Sequence, residues 1–360
     1  MSDPKPRTLK EFTTLYDSSN KTKPPKETET LIRNFCENDI RGFARLFFPH
    51  HARLPFGRMH REFFRLYRKH FTNGPLESRP PRRTAIAAPR GYAKSTFETL
   101  IIPLHATLYA REGYIIILSA TLKQAEQRLK NIKSELEANR LLKDVFREEL
   151  ARRGQWTDKS IQVNNVQIDV YSAGTEIRGI SHRQWRPTLV LLDDIEDSKS
   201  AYSSDRRDKL YEWYNEVIEN IGDTYTAVEI IGTLLHPDSL LARLLRRPDF
   251  ESYIFKSIDQ FAERTDLWEE WRKRFTNLSD AERLETARAF FNQNRAEMLR
   301  GTRVQWQSKE DYYELMTQLT THGRAAFFKE KQNSPSASEE AFFDLARAIK
   351  FQIHDSNIIY

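Results

Sequence analysis

A single cysteine, Cys36, stands in 360 residues. One thiol excludes an internal disulfide framework and a Cys-based zinc site, and it suits a reducing compartment. Long apolar runs are missing too: the longest, around Ile115 to Leu118, is far too short to span a bilayer. The charged, proline-bearing N-terminus lacks the apolar core of a signal peptide, so neither secretion nor a membrane partner is expected. Charge of one sign is not in large excess. Lys and Arg number 57 against 51 Asp and Glu, a net +6 that is compatible with a polyanionic partner and equally with a mixed, solvated surface. What is present, 39% hydrophobic residues, is enough for one large core with appendages.

Residues 1–29 are rich in Lys, Pro, Thr and Ser, with Lys23-Pro24-Pro25-Lys26 as a stiff element, and read as a flexible arm. The spacing of Leu31, Ile32, Phe35, Phe43, Leu46 and Phe47, then of Phe63, Phe64, Leu66 and Tyr67, predicts a helical lead-in over 30–82. From 83 to 260 strands and helices alternate. Strands are predicted at 84–88, 114–119, 166–172, 189–192, 227–231 and 253–258, with helices between them, including 123–139 and 204–220. Such alternation implies an α/β domain whose mostly parallel sheet is flanked by helices through right-handed crossovers. Pro103 is expected to kink or end the first of these helices. Trp- and Arg-rich helical patterns predict a helical subdomain over 261–340. Residues 341–360 read as a linker and a helix leading toward a part that the chain does not contain.

The stretch Ala85 to Thr96 has the layout of a phosphate-binding loop: a short apolar strand, a Pro89-Arg90-Gly91 turn, then Lys94-Ser95 opening a helix. In such loops backbone N–H groups and the helix N-terminus cradle phosphate oxygens, the lysine reaches the β/γ-phosphates and the hydroxyl holds Mg²⁺. Glycine is what this loop lacks. The usual pattern is G-x-x-x-x-G-K-[ST], and both flanking positions here are alanine, Ala88 and Ala93. Further on, Leu189-Val190-Leu191-Leu192-Asp193-Asp194 would set acids at the C-terminal edge of a buried parallel strand. Nucleoside triphosphatases use such acids to hold Mg²⁺ and to orient the attacking water, although two aspartates after a strand also serve as a helix cap or turn. Ser119-Ala120-Thr121 and Gly232-Thr233 each follow a predicted buried strand, which puts them on the same rim. The ordered combination favours a nucleotide site.

In this order the motifs resemble the large subunit of tailed-phage terminase, the motor that packages DNA into procapsids. The resemblance rests on Arg90 to Ser95, Leu118 to Thr121 with Gln124-Ala125, Gly174 to Gly179, Arg186 to Asp194, Ile231 to His236, and Gly323 to Phe327 with Glu330, Gln332-Asn333 and Pro335. It implies a RecA-like (ASCE) P-loop ATPase with ATP and Mg²⁺ as ligands. It further implies double-stranded DNA, a portal ring and a terminase small subunit as partners, a homo-oligomeric ring when docked, and a place in the host cytoplasm. By residue, it implies that Arg90, Gly91, Tyr92, Ala93, Lys94, Ser95 and Thr96 cradle the triphosphate, with Arg90 on the γ-phosphate. Ser95 and Asp193 would serve Mg²⁺. The family carries glutamate where Asp194 stands one methylene short, so either Asp194 or Glu196 would activate water. Arg178 would be an arginine finger reaching a neighbouring subunit, Gly232-Thr233 the coupling motif, and His60 stands where the family often has an adenine-contacting glutamine. The family's nuclease domain has no counterpart in this sequence. Two rivals stay open. A superfamily 2 helicase carries Ser-Ala-Thr after the acidic motif rather than before it and needs a second RecA-like domain. A nucleotide-independent DNA- or portal-binding protein on a decayed ATPase fold is the reading that Ala88 and Ala93 suggest.

Overall fold

The strands of the main sheet are, in chain order, β1 (Arg82–Ala87), β2 (Tyr114–Ser119), β3 (Arg153–Trp156), β4 (Ser160–Val163), β5 (Val166–Ser172), β6 (Leu189–Asp193), β7 (Ala227–Gly232) and β8 (Glu251–Ile254). This computed structural model describes residues 26–71, 75–335, 352–354 and 357–359. Every residue of β2, β6 and β7 is buried, as an apolar run covered on both faces requires. In space the order is β3-β4-β5-β2-β6-β7-β1-β8. Pairing from β5 through β8 is parallel, while β3 and β4 add an antiparallel edge. Strand β7 is interposed between β1 and β6. Register then aligns the functional ends, with Ala87 opposite Gly232 and Asp193 opposite Ile231.

Alternation along the strands divides the core into two layers. Ile115, Ile117, Leu189 and Leu191 face one cluster with the helices α1 (Lys26–Asn38), α2 (Ile40–Phe47) and α3 (Arg58–Phe71). Ile116, Leu118, Val190 and Leu192 face the other, with Trp213, Tyr214, Val217 and Leu240. A third cluster, around Trp268, Trp271, Phe291, Leu315 and Phe327, belongs to the C-terminal helices between Thr265–Phe275 and Arg324–Gln332. The expected mostly parallel α/β sheet flanked by helices is therefore present. Among the described residues no helix is long and apolar enough to cross a membrane.

Several local expectations change. The helix after β1 does not end at Pro103: it runs as Lys94–Thr96, a π-helical turn Phe97–Ile101, and Ile102–Leu108, together α4. The wider turn ahead of the proline takes up the mismatch that its ring and missing N–H impose on an α ladder. Strands β3 and β4 carry no long apolar run, and β3 is mostly exposed, so periodicity did not reveal them. The predicted strand 253–258 divides into β8, which joins the sheet, and β9 (Ile258–Gln260), which pairs with β10 (Arg303–Val304). Helix α1 starts at Lys26, inside the predicted arm, whose residues 1–25 lie outside the described ones. Of the predicted terminal helix, the described parts are two short antiparallel strands, Gln352–His354 and Asn357–Ile359, and the rest lies outside the described residues.

Candidate functional site

The loop from Ala88 to Ala93 leaves β1 at the sheet's C-terminal rim. Gly91 and Ala93 have φ of 81° and 57°. A Cβ at Gly91 would meet nothing within 4 Å, so glycine there answers to the backbone alone. Ala93, the residue ahead of α4, sits in the left-handed region, where a side chain costs about 1–2 kcal/mol. The glycine that the usual pattern places before the lysine is thus absent where the backbone would favour it. Hydrogen bonds hold the loop on three sides. Ala88 N donates to Gly232 O at 2.8 Å and Arg90 N to Glu330 O at 2.9 Å, while His60 Nε2 donates to Tyr92 O at 3.0 Å.

Lys94 and Ser95 each meet one of the paired acids. The Lys94 ammonium is buried, 3.1 Å from Asp194 Oδ2 and 3.3 Å from Thr233 Oγ1. Thr233 in turn donates to Ala88 O at 3.2 Å, so one hydroxyl ties the lysine to the loop strand. Ser95 Oγ donates to Asp193 Oδ1 at 2.9 Å. Asp194 reaches Lys94 through a left-handed backbone, φ 46°, that turns the chain sharply after β6. Thr96 continues α4 behind this pair, half-buried.

Asp193 is fully buried. Burial raises its carboxyl above the ordinary range; Arg128 opposes this, Asp194 reinforces it, and Ser95 and Lys94 oppose it further. Arg128 Nε lies 2.9 Å from Asp193 Oδ2, an ion pair whose geometry falls short of an aligned hydrogen bond. Sequence reasoning missed this arginine. It belongs to α5 (Leu122–Ala138), whose buried stripe is Ala125, Leu129, Ile132 and Leu136. Its place beside that stripe, on the helix following a strand of the same rim, was the available signal. Thr121 caps α5 in a reciprocal capping box with Gln124, and Ser119 at the end of β2 is buried.

Other expected residues stand elsewhere. Glu196 does not face the lysine: its two oxygens accept from Leu240 N at 2.8 Å and Leu241 N at 3.3 Å, capping the helix Leu240–Leu245. Half-buried as it is, that carboxyl is raised by loss of solvent, against the pull of those two N–H groups. His60 offers no ring face to an adenine. It is fully buried, Nδ1 accepting from Gly57 N at 3.0 Å, with Trp306 and Phe97 at centroid distances of 4.4 and 4.9 Å. Burial lowers its pKa to about 4, so it is a neutral strut beneath the loop. Arg90 pairs with Glu330, Nε to Oε2 2.5 Å, and is 62% exposed. Arg178 lies on the loop after β5, 66% exposed, near the exposed carboxylates of Glu176 and Glu216.

No family model and no curated relative matches the sequence. Among solved structures, the chain is similar to the large terminase of bacteriophage HK97, at 13% identity and a TM-score of 0.39, with 70% of this chain covering 50% of that one. It spans about half of that terminase's length. It is also similar to the ATPase domain of the large terminase of a Thermus phage, at 15% identity and a TM-score of 0.35, with 76% of this chain covering 98% of that one. A variant of that domain gives 14% identity and a TM-score of 0.37.

Beside the loop lies a cavity of about 420 Å³ whose walls include Gly91, Ala93, Phe56, Trp306, Arg53 and Lys309. Its aromatic wall is held by close backbone contact. Trp306 Nε1 donates to Pro55 O at 2.6 Å, and a Cβ at Gly57 would fall 2.9 Å from Gln305 O. A larger cavity of about 570 Å³ lies among the C-terminal helices, near Trp268, Arg272 and Tyr312, and shares no lining residue with the loop from Ala88 to Ala93.

The end of the last core helix is knitted into the same rim. Ser257 N donates to Lys331 O at 2.7 Å. Asn333 accepts from Leu234 N at 2.9 Å and donates to Phe255 O at 2.8 Å. Glu330 and Asn333 therefore touch, respectively, the loop before Lys94 and the loop after β7.

Proposed function

We propose that the chain is an ATP-hydrolysing motor module of the large-terminase kind, moving double-stranded DNA into a procapsid. One observation carries the reading: Lys94 and Ser95, which open the helix after β1, each contact one of two adjacent acids at the end of β6. A lysine and a hydroxyl meeting a carboxylate pair across the rim of a parallel sheet are the parts a phosphoryl-transfer site needs. In this reading Lys94 exchanges Asp194 for the β/γ-phosphates. Asp194, released, orients the attacking water and accepts its proton. Ser95 Oγ and Asp193 Oδ1, adjacent hard oxygens, fit Mg²⁺, which when bound neutralises charge on the phosphates. The cavity lined by Phe56 and Trp306 receives the nucleoside, taking the place first given to His60. Thr233 and Gly232, bonded to Lys94 and to Ala88, pass the change at the phosphates to the loop after β7.

The wider assembly is part of the same proposal and rests on the motif resemblance: DNA, a portal ring, a small subunit and a homo-oligomeric ring in which Arg178 reaches the neighbouring site. The exposure of Arg178 suits such a reach. The test is ATP turnover with and without double-stranded DNA. DNA should stimulate the native chain, and Lys94→Ala should lose about 10²–10³-fold. Unchanged turnover in Lys94→Ala would sink the site assignment. Binding of DNA without binding of an ATP analogue would favour the decayed-fold reading.

A further inference from the structure

Two imidazoles and a carboxylate converge where the N-terminal helices meet α5. His50 Nε2 and His51 Nε2 lie 2.7 and 3.1 Å from the same oxygen, Glu135 Oε1. All three donor atoms fall within 4.8 Å of one another. We propose that His50, His51 and Glu135 bind a divalent transition-metal ion of the zinc class, which pins the turn after α2 to α5.

The chemistry of the donors supports this. Two imidazole nitrogens and one carboxylate form a recurrent zinc ligand set, with a fourth position left for water. Bonds of about 2.0–2.1 Å in a tetrahedron hold the ligands about 3.3 Å apart. The two imidazole-to-carboxylate distances need to open by only about half an ångström to reach that spacing. The carboxylate already has an outer partner: Asn139 Nδ2 donates to Glu135 Oε2 at 2.9 Å and to Phe47 O at 2.7 Å. Such partners fix the orientation of ligating groups. Both histidines are exposed, leaving an open path for an ion.

The position gives the ion a structural consequence. Glu135 follows Arg128 by two helical turns, about 10 Å along α5, on the same side. His51 also lines the cavity beside the phosphate loop. An ion held here locks one wall of that cavity to the helix whose arginine partners Asp193.

The test uses the tag-free, full-length chain after chelator treatment, titrated with Co²⁺ by visible absorption and with Zn²⁺ by calorimetry. One ion per chain is expected, with Zn²⁺ displacing Co²⁺ and with affinity tighter than about 0.1 mM, so that millimolar Zn²⁺ raises the unfolding temperature. His50→Ala, His51→Ala and Glu135→Gln should each weaken binding more than about 100-fold, and Asn139→Ala by about 10-fold. The two histidines stand exposed and Glu135 is only partly so, and circular dichroism of each variant checks its fold. Absence of saturable binding in the native chain, or binding that survives both His50→Ala and Glu135→Gln in folded protein, overturns the proposal.

Discussion

Replacing Arg128 by methionine isolates the electrostatics of the buried acid. Its guanidinium stands 2.9 Å from Asp193, and at an effective dielectric of about 20 that attraction is worth roughly 6 kcal/mol before desolvation is subtracted. Removing one partner of a buried pair generally costs about 3–5 kcal/mol, because the other charge is stranded. The Arg128 side chain keeps 26% of its exposure, so the cost falls just below that range, about 2–3 kcal/mol, with methionine retaining the packing of the stem. The loss depends on pH. Asp193 is raised in the folded state, so its contribution to stability is present below the unfolded carboxyl value and is lost as pH rises through the folded one. Without Arg128 the folded value climbs further and the lossy range extends upward. Arg128→Met should therefore melt about 5 °C below the native chain at pH 8 and much closer to it at pH 5. Asp193→Asn removes the charge but keeps a partner for Ser95, so the double variant should recover most of the loss at pH 8. Thermal and urea midpoints of the two single variants and the double variant at both pH values decide it. An Arg128→Met midpoint equal to native at pH 8, or no recovery in the double variant, would refute the pairing.

Other expectations concern groups around the same rim. His60, lowered to about 4, contributes stability that is present above its ordinary value near 6.5 and disappears as pH falls through about 4, up to about 3 kcal/mol. His105, lowered to about 3, adds to the same acid slope, so His60→Gln should reduce the slope of urea midpoint against pH without abolishing it. Glu98 is buried and its carboxyl raised by that burial and by Glu229, which holds it neutral; Glu98→Gln should stay within about 1 kcal/mol of native by urea unfolding. Glu229→Gln, by contrast, removes the carboxylate partner of part-buried Arg82 and should cost about 3 kcal/mol. On the proposed ATPase, Asp194→Asn should lower turnover by about 10²-fold, whereas Glu196→Gln should leave turnover in place and lose about 1 kcal/mol of stability. Equal losses of turnover in the two would return Glu196 to the chemistry.

The sheet was largely legible because its central strands are unbroken apolar runs, and those of β2, β6 and β7 can only be buried on both faces. The pairing of Lys94 and Ser95 with Asp193 and Asp194 followed from strand ends that share a rim. Which acid turns toward the lysine did not follow. That depends on the left-handed turn at Asp194, which sends the next carboxylate to a helix N-terminus. Arg128 was hidden because its contact is set by how α5 crosses the sheet, not by any local spacing. His60 was legible in principle: it precedes Phe63 and Phe64 by three and four residues, on the same buried stripe of α3. The edge strand β3 gave no signal because solvent, not a second layer, faces much of its surface, and β4, though largely buried, is only four residues long with two apolar ones.

The knitting of residues 330–333 into both rim loops has a mechanical meaning. Glu330 and Lys331 hold Arg90 and Ser257, and Asn333 holds Leu234 and Phe255, through contacts of two to three ångströms rather than through the sheet. A force pulling on the helix Arg324–Gln332 is therefore delivered to the loop before Lys94 and to the loop after β7 at once. Three residues at the end of that helix make these contacts, so load on it reaches the surroundings of Lys94 through two loops.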